Sequence, residues 1–215
     1  MQHSLQQTIN YVKLTLANAE VGHDWFHIER VFKTSLAINA AENGNEEVIS
    51  FAALLHDIAD PKFNNGDEEI GPNKAEAFLN AINVDLKVIE HVKLIIQNMS
   101  FKNSFDKRAF SSKEMQIVQD ADRLDAIGAI GIARAFTYGG FKNRVLYDPA
   151  IPPVEVHSKE SYKNTNAPTI NHFYEKLLRL KDTMNTPTGM SMAAERHEFM
   201  LNFLSQFYGE WEGKI

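Results

Sequence analysis

Phe51-Ala52-Ala53-Leu54-Leu55-His56-Asp57 decides the reading of this chain, because five apolar residues that ask for a core run straight into an imidazole and a carboxylate. An unpaired carboxylate at the edge of a core is costly, and a nearby cation is the simplest thing that offsets it. Outward from this segment one pattern repeats. Apolar residues recur at three- and four-residue spacing, as in Leu5, Ile9, Val12 and Leu16, while alternating strand-like stretches are short and scarce. The predicted fold class is all-α, with helices at about 4–19, 24–42, 46–58, 73–82, 85–98, 112–137, 169–184 and 190–211. Ser4 with Gln7, and Ser111 with Glu114, have capping-box spacing, in which a hydroxyl and a distal polar side chain satisfy the exposed backbone donors of a helix start.

Two stretches break the helical pattern: Asp60 to Pro72, rich in Asn, Gly and Asp, and Gly139 to Pro168, which holds Gly139-Gly140, Pro149, Pro152-Pro153 and Pro168. A loop as long as 139–168 is expected to border a site or a subunit contact rather than to divide two domains. One domain over 1–215 is expected, with C-terminal helices at 169–211 packed on the same bundle. At 215 residues, 44% hydrophobic and 23% charged, the chain has an ordinary globular composition, which excludes disorder as its main state. Lys plus Arg number 22 against 28 Asp plus Glu, a net charge of −6 with no basic run. Duplex nucleic acid and anionic lipid are thereby disfavoured as partners, and a small anion in a local basic pocket remains. Without cysteine there is no disulfide, thiolate nucleophile or thiolate metal site, so any metal must use His, Asp or Glu. With no leader pattern and no long apolar run, a soluble, cytoplasmic protein with no membrane partner is expected.

Of the eight histidines, the informative ones have acids beside them or a core behind them. His56-Asp57 is one case. Asp120-Ala121-Asp122-Arg123-Leu124-Asp125 is another, three carboxylates within two turns of a helix that continues Ala126-Ile127-Gly128-Ala129-Ile130-Gly131-Ile132-Ala133. His27 is the third, in an amphipathic helix with Trp25, Val31, Phe32, Leu36 and Ile38. Singly, these read as a core histidine, a helix terminus and half of a salt-bridge network. Together, one imidazole from each of two helices and a carboxylate from a third would give a divalent cation a nitrogen and oxygen shell with open positions.

His27, His56-Asp57 and Asp122 match the H…HD…D signature of the HD-domain metal-dependent phosphohydrolases, and the chain resembles that family. The segments His27-Ile28-Glu29-Arg30-Val31, Ala53 to Asp60, and Gln119 to Gly128 are similar to the local motifs of a bacterial branch of small HD hydrolases that includes nucleotide pyrophosphatases. The likeness covers an HD core at about 21–138, and more loosely His172 to Leu177 and Glu195-Arg196-His197. It implies an HD-domain helical bundle in which His27, His56, Asp57 and Asp122 hold one divalent metal ion. Manganese (Mn) is the expected ion, with Mg, Co or Ni as alternatives. His91 is the only histidine between Asp57 and Asp122, which favours one ion over two. The implied activity is metal-assisted hydrolysis of a nucleoside triphosphate or related nucleotide to monophosphate and pyrophosphate. The alternatives are a nucleoside monophosphate phosphatase or other phosphoester hydrolase, and a non-catalytic nucleotide-binding HD module. The partner is then a small phosphorylated substrate, expected to be a nucleotide, and a homodimer stays open.

Phosphate chemistry needs cations on the non-bridging oxygens. Lys62 is the first choice, both for binding substrate and within the catalytic set, followed by Lys102, Lys176 and Arg123. His23 and Asp24 are expected at the rim or behind the ligands. Asp57, a metal ligand, is also placed in the catalytic set, and Asp60 and Asp125 are the candidates to accept a proton or to fix a ligand histidine. Glu29 and Arg30 are expected to pair locally. Phe26, Phe63, Phe101 and Tyr138 read either as a base-stacking wall or, more commonly for aromatics at helical spacing, as core. His23-Asp24-Trp25-Phe26-His27 also imitates the H-E-x-x-H peptidase motif, with a carboxylate one methylene short of the usual base.

Overall fold

A computed structural model describes residues 1–17, 19, 24–59, 67–99, 110–154 and 167–215. As expected, the fold is all-α, and no strand occurs among the described residues. These residues form two compact units, Met1–Asp122 and Arg123–Ile215, with the division falling inside one helix. The first unit contains α1 (Gln2–Thr15), α2 (Trp25–Glu42), α3 (Glu46–Leu55), α4 (Ile70–Ala81), α5 (Leu86–Asn98) and most of α6 (Lys113–Asp125). The second contains the end of α6, then α7 (Gly128–Phe141), α8 (Asn171–Glu175), a 3-10 segment (Leu177–Thr183) and α9 (Pro187–Trp211).

α3 is the axis of the first unit. Every residue from Val48 to Leu55 is buried, so this helix is surrounded on all sides, and α1, α2 and α5 pack against it. Phe51, Leu54 and Leu55 each contribute roughly 1.5–3 kcal/mol by leaving water. Its start is set by Asn45, whose side-chain oxygen accepts from the backbone N–H of Glu47 and Val48 at 3.1 and 3.3 Å. Asparagines also end helices here: Asn43, Asn83 and Asn143 follow α2, α4 and α7 with φ of 57°, 56° and 53°, the left-handed conformation that stops a helix.

Several predicted boundaries are corrected. α1 starts at Gln2 with no side-chain cap, so the Ser4–Gln7 box is not formed, and the Ser4 carbonyl accepts instead from Thr8 Oγ1 at 2.8 Å. At α6 the capping hydroxyl is Ser112, not Ser111, and it accepts from Met115 N at 3.1 Å. Glu114 is turned outward to the α2–α3 turn, where it accepts from Asn45 N at 2.9 Å. The helix predicted over 46–58 stops at Leu55, placing His56-Asp57 in the turn that follows.

The helix predicted over 112–137 is two helices. The N–H groups of Ala126 and Ile127 turn back to the carbonyls of Arg123 and Leu124 at 3.1 and 3.2 Å, and Gly128 then takes φ +73°. α7 runs on through Gly139-Gly140 to Phe141, so the long loop begins at Lys142. Asn143, rather than the glycine pair, supplies the left-handed residue. The helix predicted over 169–184 is broken at Lys176 (φ −141°, ψ −57°) into α8 and the 3-10 segment, in which Leu177 and Leu180 are both buried at the three-residue spacing that suits a 3-10 turn. α9 begins three residues earlier than expected, at Pro187, with Thr186 Oγ1 accepting from Gly189 N at 3.0 Å.

The second unit is held by α9 against α7 and the 3-10 segment. Phe173 is fully buried against Phe136 and Phe203, with ring centroids 5.9 and 5.8 Å away. Among the described residues no helix is long and apolar enough to cross a membrane.

The α6–α7 junction yields a paired prediction. A Cβ on Gly131 would lie 2.3 Å from the backbone oxygen of Ala126, which no rotamer change relieves, whereas a Cβ on Gly140 meets nothing within 4 Å. Gly131→Ala is expected to lower stability in urea unfolding by about 2–3 kcal/mol. Gly140→Ala is expected to be neutral, or to raise stability by up to about 1 kcal/mol.

Candidate metal centre

His27 is the third residue of α2, and its place is fixed from below by Asp24. The Asp24 carboxylate accepts from His27 N at 3.0 Å and so caps the helix that carries the imidazole. Asp24 is therefore the N-cap of the helix that carries His27. The His27 side chain is buried.

His56 follows α3 directly. Its Nδ1 lies 2.9 Å from the Ala53 carbonyl oxygen, and a carbonyl only accepts, so Nδ1 carries the hydrogen and Nε2 presents its lone pair. That Nε2 is buried and has no hydrogen-bond partner among the described residues. A buried acceptor left in this state costs about 1–3 kcal/mol. The groups it faces are of a kind that could hold a metal ion. One ligand atom each from His27, His56 and Asp57 lie within 4.8 Å of one another. Asp122 Oδ1, from α6, stands 3.5 Å from His27 Nε2 and 3.9 Å from His56 Nε2. The two rings meet edge to face, 5.5 Å between centroids.

Donors about 2.1 Å from a common ion stand roughly 3–3.5 Å apart at neighbouring positions. The His27–Asp122 separation is already at that spacing, and the His56–Asp122 separation is a few tenths wider. Two imidazoles and two carboxylates suit a divalent ion of the Mn, Mg, Co, Ni or Zn kind, and the orphaned Nε2 is the observation that a cation there would answer. The Asp122 side chain is 42% exposed, so the cluster is open to solvent on the α6 side.

Other residues expected at the site have other surroundings. Asp125 is buried and its carboxylate pairs with Arg134, which also donates to the Asp125 backbone oxygen at 3.2 Å. Arg123 is buried and donates to the Thr183 carbonyl, a structural partner where a phosphate contact is expected from sequence. Lys176 is half-buried at the break between α8 and the 3-10 segment. Asp60, Lys62, Lys102 and His23 lie outside the described residues, as do Phe63 and Phe101. Phe26 and Tyr138 are exposed rather than core, and the Tyr138 ring is approached by Lys142 Nζ at 5.6 Å and by the Arg144 guanidinium at 5.7 Å. Glu29 pairs with Lys33, one turn on, at 3.2 Å.

His91 belongs to a different group, with Nε2 2.9 Å from Ser112 Oγ and 3.7 Å from Glu114 Oε2. Burial pushes the Glu114 carboxyl up. The N–H of Asn45 and its own N–H, His91 and Ser112 outweigh that and hold it below the usual range. Sequence reasoning missed Arg134 and Arg196, whose only signal was a cation inside apolar or helical surroundings.

The HD domain family matches residues 25–127, a span that contains all four residues of the cluster. An HD-superfamily hydrolase from Bacillus thuringiensis is 44% identical, with 98% of each chain covered and a TM-score of 0.79. Bacillus subtilis YpgQ is 36% identical over 207 residues, covering 94% of this chain and 90% of the relative. The structure of YpgQ in complex with ADP has a TM-score of 0.74 at 35% identity, with 96% of this chain and 97% of that one covered. The chain belongs to the HD family. HD domains bind divalent metals, and the His27, His56, Asp57 group supplies residues of the kind required.

His172, in the tail that carries Lys176, provides a pH prediction. Burial, with Lys176 and Arg144 adding repulsion, lowers its pKa from 6.5 to about 4. Between those values the unfolded chain takes up a proton that the folded one refuses, so stability falls as pH drops from about 6.5 to about 4. His172→Gln is expected to flatten that part of the curve by up to about 3 kcal/mol, read from urea unfolding at pH 7 and pH 4.5.

Proposed function

We propose that this protein is a metal-dependent phosphohydrolase that cleaves nucleoside triphosphates, or related nucleotides, to the monophosphate and pyrophosphate. The observation that carries the reading is the buried, unpartnered Nε2 of His56 facing His27, Asp57 and Asp122. The ADP bound by YpgQ, a relative of nearly the same length, supports a nucleotide as the substrate class. The resemblance of the motifs at 27–31, 53–60 and 119–128 to nucleotide pyrophosphatases supports the choice of bond.

His27, His56, Asp57 and Asp122 would hold one divalent ion, Mn being the expected one. Such an ion supplies polarisation of a phosphoryl oxygen and a lowered pKa for water near neutral pH. The remaining work belongs to the protein. The Ala53 carbonyl keeps the hydrogen of His56 on Nδ1, so that Nε2 is always presented as a donor pair. The Asp24 cap holds the first turn of α2, and with it His27, in register. Asp60 is the proposed proton acceptor, with Asp57 in the catalytic set through its place beside the ion. As the water oxygen bonds to the α-phosphorus, the α–β bridging oxygen departs with pyrophosphate. Lys62, Lys102 and Lys176 are the proposed cations for the substrate phosphates, with His23 at the rim. Asp125, paired with Arg134, is read as a group that acts through structure rather than as a base.

The test is a panel of ribo- and deoxynucleoside triphosphates, monophosphates and simple phosphate esters, each with Mn, Mg, Co or Ni, with products separated. Monophosphate plus pyrophosphate from triphosphates is expected, with turnover reduced roughly 100-fold or more in His56→Ala and Asp122→Ala. Release of phosphate from monophosphates would replace the substrate assignment. Nucleotide binding without turnover under all four metals would replace the enzyme reading with a binding module.

A further inference from the structure

We propose that Arg134, Arg196 and Asp125 are positioning residues of the metal centre, because two guanidiniums close the carbonyl end of α6 and so fix the reach of Asp122. The inference rests on the metal-centre reading above and deepens it.

The last turn of a helix has carbonyls with no partner inside the helix, and it frays unless something satisfies them. Asp122 stands in that turn, three residues from the end of α6, with its side chain partly exposed. An aspartate on a fraying turn would wander against His27 and His56, which are held by Asp24 and by the Ala53 carbonyl. The end of α6 is closed by two sets of bonds: the Arg123 and Leu124 carbonyls accept from the N–H groups of Ala126 and Ile127, and the final two carbonyls, of Leu124 and Asp125, also accept from arginine side chains. Arg196 Nη1 donates to the Leu124 oxygen, and Arg134 Nη1 to the Asp125 oxygen at 3.2 Å.

The two cations come from α9 and α7, and each is itself secured. The buried Asp125 carboxylate grips Arg134. Arg196 is partly desolvated, which disfavours its charge, while the negative charge of Asp125 favours it. Its alkyl chain runs against Gly128, where a Cβ would come within 3.0 Å of Arg196 Cγ, so that glycine serves both the φ of +73° and the passage of the arginine. Positive charge at a helix C-terminus also matches the helix dipole. Asp125 is thus the anchor of a clamp on the helix that presents Asp122.

The experiment measures Mn2+ affinity of the full chain by electron paramagnetic resonance of free Mn2+, alongside thermal midpoints in chelator. Arg196→Met and Asp125→Asn are expected to weaken Mn2+ binding roughly 10- to 100-fold while the protein stays folded. Arg196→Lys is expected to recover part of the loss, since an ammonium can still reach a carbonyl. Met200→Ala, a core truncation on the same helix as Arg196, controls for general destabilisation: it is expected to lower the midpoint and leave Mn2+ affinity unchanged. Wild-type affinity in folded Arg196→Met and Asp125→Asn would overturn the proposal, as would an equal loss in Met200→Ala. Should Arg196→Met fail to fold, Arg134→Lys and Asp125→Asn carry the same comparison. Asp122→Asn separates the two levels. If it binds Mn2+ like wild type, the metal-centre reading itself fails. If it loses binding while the clamp variants do not, only the positioning role fails.

Discussion

A single ring nitrogen, His56 Nε2, imposes the strongest constraint on the molecule. It lies at the end of a helix that is buried from Val48 to Leu55, and the Ala53 carbonyl decides which of the two ring nitrogens bears hydrogen. The other is left as a desolvated acceptor without a hydrogen-bond partner among the described residues. A fold keeps such a group only where something else repays the cost, and the surrounding His27, Asp57 and Asp122 are the residues a cation would share. The apolar character of α3 and the chemistry of the turn after it are therefore parts of one design. The core brings His56 to a fixed point, and the point has value because of what converges on it.

Convergence depends on how each helix end is tied. α2 starts at the Asp24 cap, α3 at the Asn45 cap, and α6 at Ser112, with Glu114 reaching back to the α2–α3 turn. Each of these links is worth about 1 kcal/mol, small against the burial of the core, yet they set register where burial alone does not. The far end of α6 is tied differently, by arginine side chains on backbone carbonyls. The four residues of the cluster thus sit at helix starts, helix ends and turns, where the chain departs from regular geometry and local hydrogen bonds decide direction.

Much of this was legible in the sequence, for reasons that can be named. The helical class followed from three- and four-residue apolar spacing, and His56-Asp57 stood out because ionisable residues closed an apolar run. Asp122 stood out because it lay in a cluster of acids beside an apolar helix. The break between α6 and α7 was not legible, since an isolated glycine in a helical pattern reads equally as a tolerated residue or as a left-handed stop, and Gly128 proved to be the second. Ser111 and Ser112 are neighbours with nearly equivalent capping potential, so the choice between them was made by where α6 packs. Asp125 read as a catalytic acid because its partner, Arg134, lies across a turn that periodicity does not reveal. Arg196 lies in the loosely similar segment Glu195-Arg196-His197, but nothing local points to the carbonyl it meets 72 residues away.

X-ray diffraction from crystals soaked in Mn2+, recorded at a wavelength where manganese scatters anomalously, tests the central claim most directly. The account predicts one strong anomalous peak about 2.0–2.3 Å from His27 Nε2, His56 Nε2 and carboxylate oxygens of Asp57 and Asp122. A peak that leaves His56 Nε2 outside the coordination shell, or well-diffracting soaked crystals with no peak among these four residues, would contradict it.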